Sequence, residues 1–271
     1  MNNLPESEEL LAKQYRDASN LNARARLHVE FSTSKCGWMR WVFDQFDLPE
    51  RCRILELGCG PGWLWKQNLQ RIPIGWDITI SDFSPGIITS AKHALADAER
   101  TFSFEVIDAQ AIPLADELFD AVIANHMLYH VPDLEKALAE IRRVLKDGGR
   151  FYTTTNGENH MKELADLVRP LAPELPFVQR ANSKVFGLEN GQTKLERYFD
   201  NISHRRYEDS LEVPETEPLA AWVLSIRGAT EALTDKNAAE LRRLIDVRIA
   251  SEGSFHVTKS VGMFMANRPA M

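Results

Sequence analysis

Three glycines at alternate positions, Gly58, Gly60 and Gly62, end the stretch Ile54-Leu55-Glu56-Leu57-Gly58-Cys59-Gly60-Pro61-Gly62. Glycine reaches backbone conformations closed to other residues and lets a ligand approach the main chain closely. The dinucleotide pattern G-x-G-x-x-G would put its third glycine where this chain has Trp63, and an indole there obstructs the helix–strand packing that glycine permits. No G-x-x-x-x-G-K-[ST] occurs, which excludes a phosphate-cradling P-loop. Asp82, the segment Asp108-Ala109-Gln110 and the segment Asn125-His126-Met127-Leu128-Tyr129-His130 supply carboxylates, imidazoles and a phenol further along. Asp82 follows Gly62 by 20 residues, where an acid can accept both hydroxyls of a ribose. Asp108 is suited to accept an adenine amino group. Each acid alone is adequately explained as a helix cap or a solvated loop residue. In this order and spacing, they describe an adenosine lying across successive strand ends.

The elements that must position these residues are legible from periodicity. Arg53–Leu57 reads as a buried strand, and residues 63–69 start a helix whose N-terminus faces the ligand. Strands follow over residues 78–81, 102–107, 119–124 and 150–155. Between them, Ser84 caps a helix with Pro85 at its first position, running to about Ala98. A second helix spans residues 134–146 with apolar positions 134, 138, 141, 144 and 145 on one face, stopped by Asp147-Gly148-Gly149. Strands alternating with helices imply parallel pairing with right-handed crossovers, and ligands then sit beyond the strand carboxyl ends. Beyond residue 157 the pattern weakens: helices are expected over 158–171, 218–227 and 238–250, a helix end near 195–199, a weak strand over 202–213 and a final strand over 255–265. The first 40 residues read as helices laid against the core.

Composition narrows the class. The 271 residues are 44% hydrophobic and 26% charged, ordinary for a water-soluble globular chain. No apolar run approaches a membrane span, and the polar start lacks the signature of a signal peptide. A net charge of −7 disfavours a nucleic-acid partner. The basic residues Arg142, Arg143, Lys146 and Arg150 are explained by a solvated helix end. Cys36, Cys52 and Cys59 form no metal-binding spacing and suit a reducing cytoplasm. Cys59 reads as a small loop residue whose backbone matters, because no base is recognisable beside it to activate the thiol.

Taken together, Glu56-x-Gly58-x-Gly60-x-Gly62, Asp82-Phe83-Ser84-Pro85, Asp108-Ala109-Gln110-Ala111-Ile112-Pro113-Leu114, Phe119-Asp120 and Leu145-Lys146-Asp147-Gly148-Gly149 resemble the ordered motifs of class I S-adenosylmethionine-dependent methyltransferases. The resemblance covers about residues 50–156. It implies an α/β, Rossmann-like, doubly wound seven-stranded sheet of order 3-2-1-4-5-7-6 with the last strand antiparallel, residues 255–265 being that strand. The implied division is an N-terminal helical arm over 1–40, a cofactor-binding core over 41–156, a cap insertion over 157–200 and the rest of the sheet over 201–271, all in one methyltransferase domain.

Carried over residue by residue, the resemblance sets the backbone of Gly58, Cys59 and Gly60 against the methionine part of the cofactor. Glu56 supports the loop or a water near the amino group. Asp82 takes the ribose, Phe83 covers the adenine, and Asp108 and Ala109 read its edge. Asn125 and His126 lie beneath the methyl group. Tyr15 resembles a lid tyrosine, and Arg24 or Arg26 is a partner for the methionine carboxylate, with a surface arginine the simpler account. The implied cofactor is S-adenosyl-L-methionine, released as S-adenosyl-L-homocysteine, and no metal is implied. The implied reaction is in-line methyl transfer to a small molecule.

Alignment of donor and nucleophile can supply about 7–11 kcal/mol of such a reaction. A base is needed only if the nucleophile must lose a proton early, and His126, Tyr129 and His130 stand at the right strand end for it. Each also has a packing explanation. His256 is a further, more remote candidate. The aromatic run Trp38, Trp41, Phe43, Phe46 has the spacing of a helix packing on the core, with an aromatic acceptor site the alternative. Non-methylating chemistry on the same cofactor, a non-catalytic binding module and, outside the superfamily, a dehydrogenase are the competing readings; Trp63 counts against the last.

Overall fold

The computed structural model describes residues 19–226 and 228–270. Tyr15 lies outside the described residues, and of Arg24 only the backbone is described. The described residues begin with helices α1 (Ser19–Glu30) and α2 (Trp38–Asp44). It continues through β1 (Cys52–Leu57), α3 (Trp63–Lys66), β2 (Trp76–Asp82), α4 (Pro85–Ala94), β3 (Ser103–Val106), β4 (Phe119–Asn125), α5 (Leu134–Val144) and β5 (Leu145–Asn156). After these come α6 (Lys162–Val168), α7 (Ala181–Val185), α8 (Gly191–Leu195), β6 (Asp200–Arg206), β7 (Ser210–Val213) and α9 (Thr216–Leu224). The chain closes with α10 (Ala229–Ala232), α11 (Asp235–Glu252), β8 (Phe255–Thr258) and β9 (Val261–Asn267).

The main sheet has seven strands in the order β3-β2-β1-β4-β5-β9-β6. The pairs from β3 to β5 are parallel, and β9 runs antiparallel to both β5 and β6. This is the 3-2-1-4-5-7-6 arrangement expected from the motifs, with β9 as its antiparallel seventh strand. The two-residue period of each strand divides its side chains between the two faces. Leu55, Leu57, Val122, Ala124 and Phe151 meet the buried stripe of α5 on one face. Ile54, Ile78, Ile80, Ile123 and Tyr152 meet α2, α3 and α4 on the other. The central strands are therefore apolar on both sides, as parallel strands under two helical layers must be.

Local chemistry explains the helix starts. Ser84 Oγ accepts from the Ile87 amide at 3.4 Å, with Pro85 in the first turn. Asp133 Oδ1 accepts from the Lys136 amide at 3.0 Å, opening α5.

Several expectations are corrected. The helix after the glycine loop lasts only from Trp63 to Lys66. The Ser84-capped helix ends at Ala94 rather than near Ala98, and the helix from Leu134 ends at Val144, so Leu145 to Gly149 belong to β5, which bulges against β4 with Gly148 at φ +69°. The final expected strand is two strands, broken at Lys259-Ser260: β9 completes the main sheet, while β8 pairs with β7 in a separate two-stranded sheet. The weak strand over 202–213 divides in the same way into β6 and β7.

A third apolar cluster lies apart from the main sheet. It draws on Met161, Leu164, Val168 and Val178 from the stretch read as a cap, but also on Leu211, Trp222, Leu241, Phe255 and Val257, which the sequence reading assigned to the sheet region. Leu27 of α1 joins it. Conversely, Phe186, Leu195 and Phe199 pack with the α5 face.

Candidate functional site

The glycine loop leaves β1 with Gly58, Gly60 and Gly62 at φ +67°, +54° and +77°, a region that disfavours side chains. A Cβ at Gly58 would stand 2.7 Å from Met127 Cβ, so the turn after β4 rests directly on the loop. A Cβ at Gly60 would meet nothing within 4 Å, and this glycine borders open space. The Gly60 amide donates to Asp82 Oδ2 at 3.2 Å, and the Ser84 amide donates to Oδ1 at 3.0 Å. Burial pushes the Asp82 carboxyl above its ordinary range. Phe83, the next residue, is 49% exposed, as is Val106 at the end of β3. Such apolar exposure beside a buried acid suits a flat heterocycle lying over it.

Beneath the loop, Glu56 is 1% exposed and accepts from the Trp65 indole N–H at 2.6 Å. Burial pushes its carboxyl up to about 8, against the lowering effect of that indole and of the neighbouring Asn125 amide. Asn125 Oδ1 accepts from Thr154 Oγ1 at 3.3 Å, while its Nδ2 is buried without a full hydrogen-bond partner among the described residues. Asp108 is engaged by its own turn: Oδ1 accepts from the Gln110 amide at 2.9 Å and from its side chain at 3.1 Å. Ala109 is buried. Cys59 is buried, and its thiol is pushed well above the usual range, chiefly by burial, which leaves it inert as a nucleophile.

The three candidates after β4 form a chain of ring contacts, His126 to Tyr129 at 6.3 Å and Tyr129 to His130 at 4.6 Å, but have different surroundings. His126 sits at φ +51°, and its amide donates to Thr154 O at 3.1 Å. Its ring meets Trp38 at 5.3 Å, and burial lowers its pKa to about 4, with help from Lys259. Tyr129 and His130 lie edge to face at 4.6 Å in a short turn, and Tyr129 packs onto the α5 side of the sheet. His256 stands on β8, 2.6 Å from Glu212 and exposed. Arg26 is paired on the surface with Glu30 at 2.8 Å. The aromatic run on α2 divides: Trp38 and Trp41 stack on each other and on Tyr207, while Phe43 turns into the core against Trp76. The helix-packing reading holds for all four residues, which pack within or against one apolar cluster.

Residues that motif reading missed gather around His126. His28 of α1 and His160, just after β5, are stacked at 5.9 Å with the Nδ1 atom of each buried and unpartnered among the described residues. Burial lowers the His28 pKa to about 3 and holds that of His160 well below its ordinary value. Lys259 and Asp209 form a buried ion pair, their side chains 6% and 0% exposed. The Asp209 carboxylate also accepts from Ser32 Oγ at 2.8 Å and from the Ser34 amide at 2.9 Å, which ties the N-terminal arm to the turn between β6 and β7. The available signal was Lys259 itself, a cation inside an apolar run, where burial requires a partner.

These features belong to a recognisable class. Residues 55–153 match the methyltransferase domain family. The chain is 34% identical over 128 residues to the malonyl-[acyl-carrier protein] O-methyltransferase of Geobacter sulfurreducens, a match covering 47% of each chain. It spans at most about half the length of such curated relatives. Among solved structures, it is similar to Haemonchus contortus phosphoethanolamine N-methyltransferase 2 with S-adenosylhomocysteine bound (TM-score 0.60, 18% identity, covering 98% of this chain and 61% of that one). It is also similar to the [4+2]-cyclase SpnF (TM-score 0.61, 16% identity, covering 98% of both chains). At these identities the structural likenesses speak for the fold alone.

Residues 55–153 form a methyltransferase domain, and the seven-stranded sheet that contains it has the strand order expected of class I S-adenosylmethionine-dependent methyltransferases. The cofactor of that domain is S-adenosyl-L-methionine. The open space at Gly60 and the half-exposed Phe83 fit it. Among the described residues no helix is long and apolar enough to cross a membrane, and no group of three His, Cys, Asp or Glu side chains could hold a metal ion.

Proposed function

We propose that this protein catalyses methyl transfer to a small-molecule acceptor, and the observation that carries the reading is the Gly58-Cys59-Gly60 loop hydrogen-bonded to Asp82 at the carboxyl edge of a parallel sheet. When bound, the cofactor supplies a sulfonium methyl group already activated for in-line displacement. The loop backbone at Gly58, Cys59 and Gly60 holds the methionine part, Asp82 holds the ribose hydroxyls, Phe83 covers the base, and Asp108 with Ala109 borders its edge. Glu56 anchors the Trp65 side of the loop and supports a water near the cofactor's amino group. Asn125, whose amide interacts with Glu56, stands at the end of β4 beneath the methyl group.

His126 forms the floor of the acceptor side. It is neutral at physiological pH and weakly basic, so it orients the acceptor more than it stores a proton. Of the three residues suggested as a base, it alone lies beside the buried histidine cluster, and Tyr129 and His130 serve as wall. Alignment of acceptor and donor, at about 7–11 kcal/mol, then carries most of the rate. Net charge of −7 supports a small molecule over a nucleic acid, and three free cysteines support a reducing cytoplasm.

The test has two parts. S-adenosylhomocysteine at about 100 times its dissociation constant should stabilise the protein by about 2.7 kcal/mol, whereas NAD should not. Asp82→Ala should abolish that shift, and label from a methyl-labelled cofactor should enter an acceptor. Stabilisation by NAD alone would overturn the assignment. Cofactor binding with an acceptor transformed but unlabelled would favour the second reading, non-methylating chemistry, for which the full-length likeness to a cyclase is the supporting observation.

A further inference from the structure

His28, His126, His160, Lys259, Trp38 and Tyr207 are brought close together from six separate parts of the chain. His28 comes from α1, His126 from the end of β4, and His160 from the turn after β5. Lys259 sits in the link between β8 and β9, which is bonded to the His160 turn on both sides. The Met161 amide donates to Thr258 O at 2.8 Å, and the Gly157 amide to Ser260 O at 2.7 Å. Trp38, Trp41 and Tyr207 stand with mutual ring distances of 5.2–5.3 Å and form an aromatic wall.

The polar groups here are not consumed by the protein. Buried polar atoms almost always find a partner, and an exception calls for an explanation. His28 and His160 each leave a buried Nδ1 unpartnered among the described residues. Lys259 has three N–H donors and makes one hydrogen bond among the described residues, to Asp209. Asp209 in turn spreads its charge over the hydroxyl of Ser32 and the amides of Ser34 and Ser210. The carboxylate is thus satisfied on its own side, while the ammonium retains donors. A site with one incompletely used cation, beside imidazole nitrogens that become donors on taking up a proton, selects an acceptor of hydrogen bonds that carries negative charge.

We propose that the methyl acceptor is a small organic oxyanion, a carboxylate or a phosphate ester, bound between His28, His160 and Lys259 against the Trp38–Trp41–Tyr207 wall. This rests on the methyl-transfer reading and names the substrate class of that same site. The charged and titratable groups facing the two stacked rings are His126, Lys259, Asp209 and Tyr207. Lys259 and the other imidazoles disfavour the charged form of each ring, and Asp209 opposes this only at His28. An oxyanion reverses the balance, so binding draws a proton onto the histidine pair.

Calorimetric titration of the S-adenosylhomocysteine complex with benzoate, phenyl phosphate, benzylamine and benzyl alcohol tests this directly. Benzoate or phenyl phosphate should bind at least about tenfold more tightly than the amine and the alcohol, and the better of the two names the oxyanion. Titration in two buffers of different ionisation enthalpy should show net proton uptake at pH 7. His160→Phe, which keeps a ring stacked on His28, should lose oxyanion affinity by about tenfold and most of the proton uptake while binding S-adenosylhomocysteine as before. Preference for the amine or alcohol, no heat from either oxyanion, or oxyanion binding without proton uptake would overturn the proposal. If S-adenosylhomocysteine fails to bind, the function proposed above falls, and the same titrations on the unliganded protein still decide the oxyanion site.

Discussion

The two sides of this site are built on different principles. The cofactor side is backbone: three left-handed glycines, amides donating to Asp82, and apolar strands that fix the loop at the sheet edge. The acceptor side is side chains: His28, His126, His160, Lys259 and Asp209, drawn from positions up to 231 residues apart and meeting only in three dimensions. A backbone site requires particular residue types at fixed local spacing, because only glycine tolerates those torsions. A side-chain site requires only that each element arrive at the right place, so it leaves no local pattern. The first is suited to one invariant ligand, the second to variation in what is recognised.

The sharpest way to break the comparison is acid. Burial holds the His28 pKa at about 3 and that of His126 at about 4, and holds that of His160 well below normal. A base whose folded pKa is depressed contributes stability that is present above its unfolded pKa and lost as pH falls through the folded one. Unfolding near pH 4 therefore takes up protons on all three rings. Stability should drop on the order of 5 kcal/mol between pH 6.5 and pH 4, as measured by denaturant titration at each pH. Replacing His28 and His160 together by Phe should flatten most of that slope, and an unchanged slope would mean that these rings are not buried as neutral groups. Glu56 on the glycine-loop side works against this trend, regaining on the order of 2.5 kcal/mol as pH falls from 6.5 to 4, so the histidine slope is read most cleanly in the Glu56→Gln background.

On the other side, Gly58→Val forces a β-branched residue to φ +67° with its Cβ against Met127. The combined strain and overpacking should cost on the order of 3 kcal/mol and remove binding of S-adenosylhomocysteine. Gly60→Ala separates the two contributions. Its Cβ meets no protein atom, so it should fold with a modest loss yet bind the ligand poorly. Full affinity in Gly60→Ala would remove the loop from the site.

The same contrast explains what was legible in the sequence. The order of the sheet, the Ser84 and Asp133 caps and the acids at strand ends follow from residues a few positions apart. The break at Lys259-Ser260 was hidden because Phe255 to Met265 alternates without interruption by glycine or proline until Gly262. Periodicity shows that a segment is extended but not which sheet it joins. Here the link is bent by bonds to residues 157–161 that no local rule anticipates. Isolated histidines such as His28 and His160 likewise carry no signal in one dimension, since surface and buried histidines look alike there. The aromatic helix α2 shows the intermediate case: its period gave the helix, but not that Trp38 would face His126 while Phe43 faced Trp76.

Glu56 gives the smallest effect and tests whether the cofactor side also stores a buried titratable group. Its carboxyl is held at about 8, so the folded state favours the protonated form, and the stability this confers is present below about 4.5 and lost as pH rises through 8. From pH 6.5 to 8 the remaining histidine effect is common to the native protein and Glu56→Gln, so their difference across that interval isolates Glu56. Over it, the native protein should lose about 1.5 kcal/mol that Glu56→Gln does not lose. Glutamine keeps an oxygen for the Trp65 indole N–H, so the variant should fold; its difference from native is then charge alone. Parallel stability curves for the two proteins across that interval would mean that Glu56 is already ionised in the folded state. A cationic neighbour would then have to lie closer to it than any of the described residues do.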